Sequence, residues 1–189
     1  MESALIISST EKSVDFFTEM LTSASISQIV TLQSCGDARR LLIERTFDLV
    51  VVNAPLRDES GEGLSRYIAS KGSSQVILVV KHEYFDAISA ICEGDGVLTI
   101  AKPINKAVFW SALALVKSAQ RRLTRVQAEN AQLKQRIEDI RIVDRAKLIL
   151  VTYMNMNEKE AHRYIEKQAM DLRVTRRVIA EGILKAHDN

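Results

Sequence analysis

The stretch Leu49-Val50-Val51-Val52-Asn53-Ala54-Pro55 decides the fold. Four aliphatic residues in a row, three of them β-branched, favour a strand, and the missing polar alternation requires that strand to be covered on both faces. Pro55 cannot donate to a ladder and ends it. Working outward, similar apolar runs recur at 4–7, 29–32, 76–80 and 97–101, and helical patterns lie between them at 14–21, 38–43, 64–69 and 85–92. Strands and helices in strict alternation, with a fifth helix starting near Ala107, predict an α/β domain built on a five-stranded parallel sheet wound on both faces. In such sheets ligand chemistry belongs at the carboxyl ends of the strands.

Composition leaves room for more than this domain. The chain has 189 residues, 47% hydrophobic and 26% charged, enough for one standard domain and a smaller one. No apolar run approaches the roughly 20 residues of a membrane span, and residues 1–9 lack the basic start of a signal peptide. The expectation is a cytoplasmic protein with no membrane partner. Cys35 and Cys92 fall in apolar helical stretches without a CxxC spacing or a nearby histidine, which predicts buried free thiols. Three histidines, at 82, 162 and 187, are too far apart to read as a ligand set, so neither a metal nor a cofactor is expected. Charge is divided along the chain. Residues 1–116 carry 10 Lys/Arg against 14 Asp/Glu, whereas 117–189 carry 16 against 10, so the C-terminal part is the one suited to a polyanion.

Between the two lies a heptad pattern. With Val116 at position a, the a positions hold Val116, Leu123, Asn130 and Ile137, and the d positions hold Ala119, Val126, Leu133 and Ile140. A stripe this narrow is the seam of a coiled coil rather than the broader face of a helix buried in its own globule. Asn130 is the one polar residue in it, and an Asn at a is best satisfied by its twin, which specifies a parallel, in-register homodimer. At the flanks Glu129 then faces Lys134 of the second chain favourably, while Arg136 faces Arg141 and repels. The alternative is a single long amphipathic helix folding back on its own chain. No Gly or Pro occurs between Ile104 and Gly182, and Asn105 can cap a helix of some 45 residues, on the order of 65 Å at 1.5 Å per residue.

Beyond Ile140 the stripe widens to Ile142, Val143, Ala146, Ile149 and Leu150, the face of a small helical core. Asn157 and Glu160 have capping-box spacing and begin a second helix, with Ala161, Tyr164, Ile165, Ala169 and Met170 or Leu172 facing inward. Thr175 can cap a third, with Ile179, Ala180, Ile183 and Leu184 as its core face. A small three-helix domain results.

Residues 1–116 resemble the receiver domain of bacterial response regulators, a flavodoxin-like fold. The resemblance is carried by the order of elements, by Pro55 and Gly61 after the third strand, and by Lys102-Pro103 closing the fifth. An active receiver holds magnesium with an acidic pair after the first strand, accepts the phosphoryl group on an aspartate after the third and reads it with a Ser/Thr after the fourth. This chain has Ser8 and Ser9, Asn53, and Val80 at those positions, and Thr99 in place of the aromatic switch residue. The resemblance therefore implies a degenerate phosphorylation site: Asn53 has no carboxylate to attack with, and the serines offer no charge to a hard dication. Glu11, Asp58 and Glu59 lie near the same rim, either as substitute ligands or as ordinary acidic loop residues. Lys102 is either a structural partner of Asn53 or a strand-end lysine placed by the turn.

Residues 141–185 resemble the ANTAR domain, the RNA-binding module of bacterial transcription antitermination regulators. The matching residues are Ala146-Lys147 with Leu150, Glu160-Ala161 with Tyr164, Ala169-Met170 with Arg173, and Ile179-Ala180. Leu148 and Arg176 depart from the family, which has Gly and an apolar residue there. The order of receiver, coil and ANTAR domain is similar to that of the amidase-operon antiterminators, whose degenerate receiver is held by a ligand-sensing partner protein.

These readings divide the chain into a pseudo-receiver domain at 1–116, a parallel coiled-coil linker at 117–140 and an ANTAR RNA-binding domain at 141–189. No catalytic residue is expected, and no enzyme activity. The expected RNA contacts are Lys147, Tyr164, Arg173, Arg176 and Arg177, since cations meet phosphates and flat side chains meet unstacked loop bases. Tyr164 is also a candidate core residue. The implied function is antitermination, with a dimer holding stem-loops of a leader transcript so that a terminator hairpin does not form. A regulatory sensor protein or ligand on the receiver is the expected control. The alternatives are a DNA-binding regulator, although no helix-turn-helix is evident, and a signalling interaction scaffold.

Overall fold

The computed structural model describes residues 1–72 and 74–187. The chain divides into two compact units, Met1–Leu123 and Thr124–Asn189. The first contains strands β1 (Ser3–Ser8), β2 (Gln28–Leu32), β3 (Leu49–Asn53), β4 (Gln75–Lys81) and β5 (Leu98–Lys102). All pair in parallel, in the order β2-β1-β3-β4-β5. Between them run α1 (Glu11–Ser23), α2 (Cys35–Glu44), α3 (Glu62–Ser70) and α4 (Phe85–Glu93), and α5 (Lys106–Met154) follows β5. This is the doubly wound, flavodoxin-like architecture expected of the receiver segment.

The period of a strand sorts the core into two layers. Leu5, Ile7, Val50, Val52, Leu78 and Val80 face α2, α3 and α4, while Ala4, Ile6, Leu49, Val51, Ile77 and Val79 face α1 and the start of α5. On that second face Phe16, Phe17 and Phe109 form a cluster of inclined rings. Cys35 and Cys92 are buried free thiols. Ser34 caps α2 through the Asp37 amide, and the Asn105 carboxamide oxygen accepts from the Val108 amide at 2.8 Å to start α5.

Helix α5 runs 49 residues without interruption, as the absence of Gly and Pro predicts. Its first part packs on the sheet through Phe109, Ala112, Leu113 and Val116. The heptad reading therefore needs a correction at its start: Val116 is 4% exposed in the first unit's core, so it is unavailable to a partner helix. From Leu123 onward the stripe is uncovered within the chain, with Val126, Leu133, Ile137 and Ile140 each about half exposed. Asn130 is exposed and its Nδ2 donates back to the Val126 carbonyl at 3.1 Å. Glu129 is engaged by Arg125 on its own helix.

The second unit adds α6 (Glu158–Leu172) and α7 (Arg176–His187) to the last turns of α5. Asn157 and Glu160 form the complete capping box. The core is built on small residues: Ala146, Leu150, Ala161, Ile165 and Ala180 are buried, ringed by Ile142, Val143, Val151, Met156, Ile179, Ile183 and Leu184. Three alanines at the contact let the helices approach closely. The expected inward face of α6 is narrower than predicted. Tyr164, Met170 and Leu172 are exposed, because Ala161, Ile165 and Ala169 already fill the contact. Among the described residues no helix is long and apolar enough to cross a membrane.

Candidate nucleic-acid interface

The carboxyl ends of the strands in the first unit form a rim whose centre is a hydrogen-bonded pair. Ser8 ends β1 and pairs in register with Asn53 at the end of β3. Both are buried, and the Asn53 carboxamide Nδ2 donates to the Ser8 hydroxyl at 3.0 Å. Val80 is packed in the apolar core, and Ser9 is half-buried in the loop that follows β1. Lys102 does not reach Asn53 as one expectation had it. Its ammonium donates to the Ala54 carbonyl, and burial, with Lys81 nearby, holds its pKa below the ordinary lysine value.

The acidic rim residues also have local tasks. Asp58 accepts the amides of Cys35 and Gly36 at 3.1 and 2.9 Å, and these bonds hold its carboxyl below the usual range. A carboxylate there satisfies the orphan donors at the start of α2. Glu59 pairs with Arg39 at 2.8 Å. Cys35, Asp58 and Glu59 are the one convergent group of ligand-type side chains among the described residues. Their chemistry disfavours a metal: each Asp58 oxygen already accepts an amide, Glu59 is paired with Arg39, and burial pushes the Cys35 thiol up to about 11, away from the thiolate a metal binds. Glu11 stands apart, exposed in the first turn of α1.

The second unit has an open cleft of 430 Å³. One face of α5 supplies Arg136, Asp139, Ile140, Val143, Asp144 and Lys147, α6 supplies His162, and the entry to α7 supplies Thr175, Arg176 and Arg177. Spacings of three and four residues put the α5 set on one stripe. Thr175 accepts the Val178 amide and sets where α7 begins. Four permanent cations and two carboxylates line this cleft.

Several of the expected RNA contacts are tied down. Lys147 is only 17% exposed and lies between Asp144 at 2.7 Å and Glu158 at 3.6 Å, the first of which raises its pKa. Arg177 bridges Asp139 at 2.8 Å and Glu181 at 2.7 Å. The same bridge draws the Asp139 carboxyl below its usual range. Arg176 meets Glu166 at 3.2 Å with both side chains about half exposed. Lys147, Arg176 and Arg177 therefore share the cleft. Arg173 and Tyr164 do not line it. Arg173 is exposed at the end of α6 with φ 55°, and the Val174 amide bonds the Ala169 carbonyl across it. A non-glycine residue in that left-handed conformation costs about 1–2 kcal/mol. Tyr164 is 37% exposed. Arg136, His162 and Thr175 escaped the sequence reading as cleft residues. The i, i+11 relation of Arg136 to Lys147 on an unbroken helix was the signal for the first, while His162 offered none.

Residues 131–184 match the ANTAR domain family model. The match begins inside the heptad stretch. The transcriptional regulatory protein PdtaR of Mycobacterium tuberculosis is 28% identical over 138 residues, which cover 73% of this chain and 67% of that protein. The nitrate regulatory protein of Klebsiella oxytoca is 32% identical over 72 residues, covering 38% of this chain and 18% of that protein. Among solved structures, a signal receiver domain of an HD domain-containing protein from Pseudomonas fluorescens has a TM-score of 0.56 at 22% identity, over 66% of this chain and 94% of that one. A CheY-like receiver domain from Methylobacillus flagellatus has a TM-score of 0.52 at 24% identity, over 61% and 98%. The structural likenesses bear on the fold alone.

Proposed function

For a chain that joins a receiver-fold domain to an ANTAR domain, we propose a regulator of transcription that acts on RNA. A dimer zipped along Leu123, Val126, Asn130, Leu133, Ile137 and Ile140 presents two cationic helical domains to stem-loops of a leader transcript. Holding them keeps a terminator hairpin from forming. The single observation that carries this reading is the cleft of the second unit, where Arg136, Lys147, Arg176 and Arg177 converge inside the segment that matches the ANTAR family. Cations in a concavity suit phosphates flanking a loop, and unstacked bases are what sequence-specific RNA readers use.

The first unit is, on the same proposal, a control platform that works without phosphorylation. The Ser8–Asn53 bond and the buried Val80 support this, since the ends of β1, β3 and β4 carry a hydroxyl, an amide and an aliphatic side chain where an active receiver has its metal-holding carboxylates, its attacking carboxylate and its phosphate-reading hydroxyl. A sensor protein or ligand bound to the unit then takes the place of the phosphoryl signal.

Binding at stepped salt to a loop RNA, the matching duplex DNA and a hairpin of scrambled loop tests the reading. Preference for one loop that survives added salt supports it. Equal affinity for all three, decaying together with salt, refutes it and leaves only charge attraction. Sedimentation of the full chain, with Leu133→Asp as the comparison, tests the dimer: two chains for the parent and one for the variant are expected.

A further inference from the structure

On the reading that the second unit binds RNA stem-loops, we propose that its cleft is a pocket for one unstacked nucleotide of the loop. His162 and Val143 hold the base, and Arg136 and Arg176 meet its phosphate. The cavity, at 430 Å³, lies in the roughly 300–1,000 Å³ range of sites that enclose a small organic ligand. A surface that only tracked a backbone needs no such concavity. Val143 gives an apolar patch on α5, and the His162 imidazole on α6, about half exposed with its Nε2 3.3 Å from the Glu166 carboxylate, gives a flat ring of the kind on which bases stack.

The ion pairs separate wall from ligand contact. Lys147 is held by Asp144 and Glu158, and Arg177 by Asp139 and Glu181, so these cations build the cleft and fix its shape. Arg136 has no ion pair among the described residues and is exposed. Arg176 has one, to Glu166, with both partners about half exposed. Such a pair is weak, and exchanging it for a phosphate loses little. Two adaptable guanidiniums thus remain at a pocket whose other charges are spoken for.

The test uses the full chain and hairpins of one stem with a randomised loop, from which the tightest binder is taken. Each loop nucleotide is then replaced by an abasic site. One position is expected to cost roughly tenfold or more in affinity, the scale of a single base–side-chain stack. In His162→Ala that penalty collapses while those at other positions persist, and in Arg173→Ala, outside the cleft, it is retained. Should His162→Ala lose its helical signal, His162→Gln removes the ring and keeps a polar side chain. If the hairpin binds but His162 substitution leaves every abasic penalty unchanged, the base sits elsewhere and the pocket is refuted while the RNA reading stands. If no hairpin in the pool binds better than duplex DNA, the RNA reading itself fails and takes the pocket with it.

Discussion

Ile165→Ala is expected to destabilise the second unit strongly and leave the first unchanged. Of the five buried residues in that core only Leu150 and Ile165 are larger than alanine, so one truncation removes much of its aliphatic volume. Three buried carbons at about 0.8 kcal/mol each give about 2.4 kcal/mol of lost transfer energy. A residual cavity brings the total to about 3–4 kcal/mol, within the range for such truncations. A domain the length of the matched segment has about 3–8 kcal/mol in all. The loss is thus a large fraction of its stability, from about two-fifths upward. Two probes separate the units, because Trp110 is the only tryptophan and lies in the first. In urea, part of the helical circular dichroism of the variant should melt earlier, by on the order of 2 M at an m-value near 1.5 kcal/mol per M. Trp110 emission should keep its midpoint. A shift under about 0.5 M would refute the weight given to Ile165 in that core, and a Trp110 transition that moves with the helical one would refute the independence of the two units.

Gly61→Ala should destabilise the first unit by about 1–3 kcal/mol, read from the Trp110 midpoint, since its φ is +86° and a Cβ there would lie 2.9 Å from Val52 Cγ1. Gly72→Ala, at φ +67° with open space around it, should cost less. Asp48 and Asp58 both have carboxyl pKa values held down, Asp58 by the Gly36 and Cys35 amides. Their contribution is therefore present above the ordinary value of 3.8 and lost as pH falls through the lower folded value, and Asp58→Asn should flatten that acid limb in urea titrations. Asp139→Asn removes one of the two carboxylates that fix Arg177 in the cleft wall, and on the RNA reading it should loosen the cleft and weaken hairpin binding, read by titrating the tightest-binding hairpin.

The alternation of strand and helix was legible because covered parallel strands leave uninterrupted aliphatic runs, and 49–52 is such a run. The capping box at Asn157 was legible for a similar reason: it is written within four residues. What escaped were relations between distant segments. Val116 satisfies the heptad and the sheet-packing pattern equally well, and only the fold assigns it to the core. Tyr164 and Leu172 have helical spacing for the inner face, but close contact through alanines left them outside. Lys147, Arg176 and Arg177 were found as cations, yet their carboxylate partners come from three helices, so which of them remain adaptable could not be read along the chain.

The Ser8–Asn53 bond bears on how a signal is stored. A phosphorylated receiver keeps a mark after its kinase departs and is erased by hydrolysis. A strand end that carries an amide in place of a carboxylate cannot form an acyl phosphate, so on the proposed function the regulator has no memory of that kind. Its output follows the instantaneous occupancy of whatever holds it, and the reset time is the dissociation time of that complex.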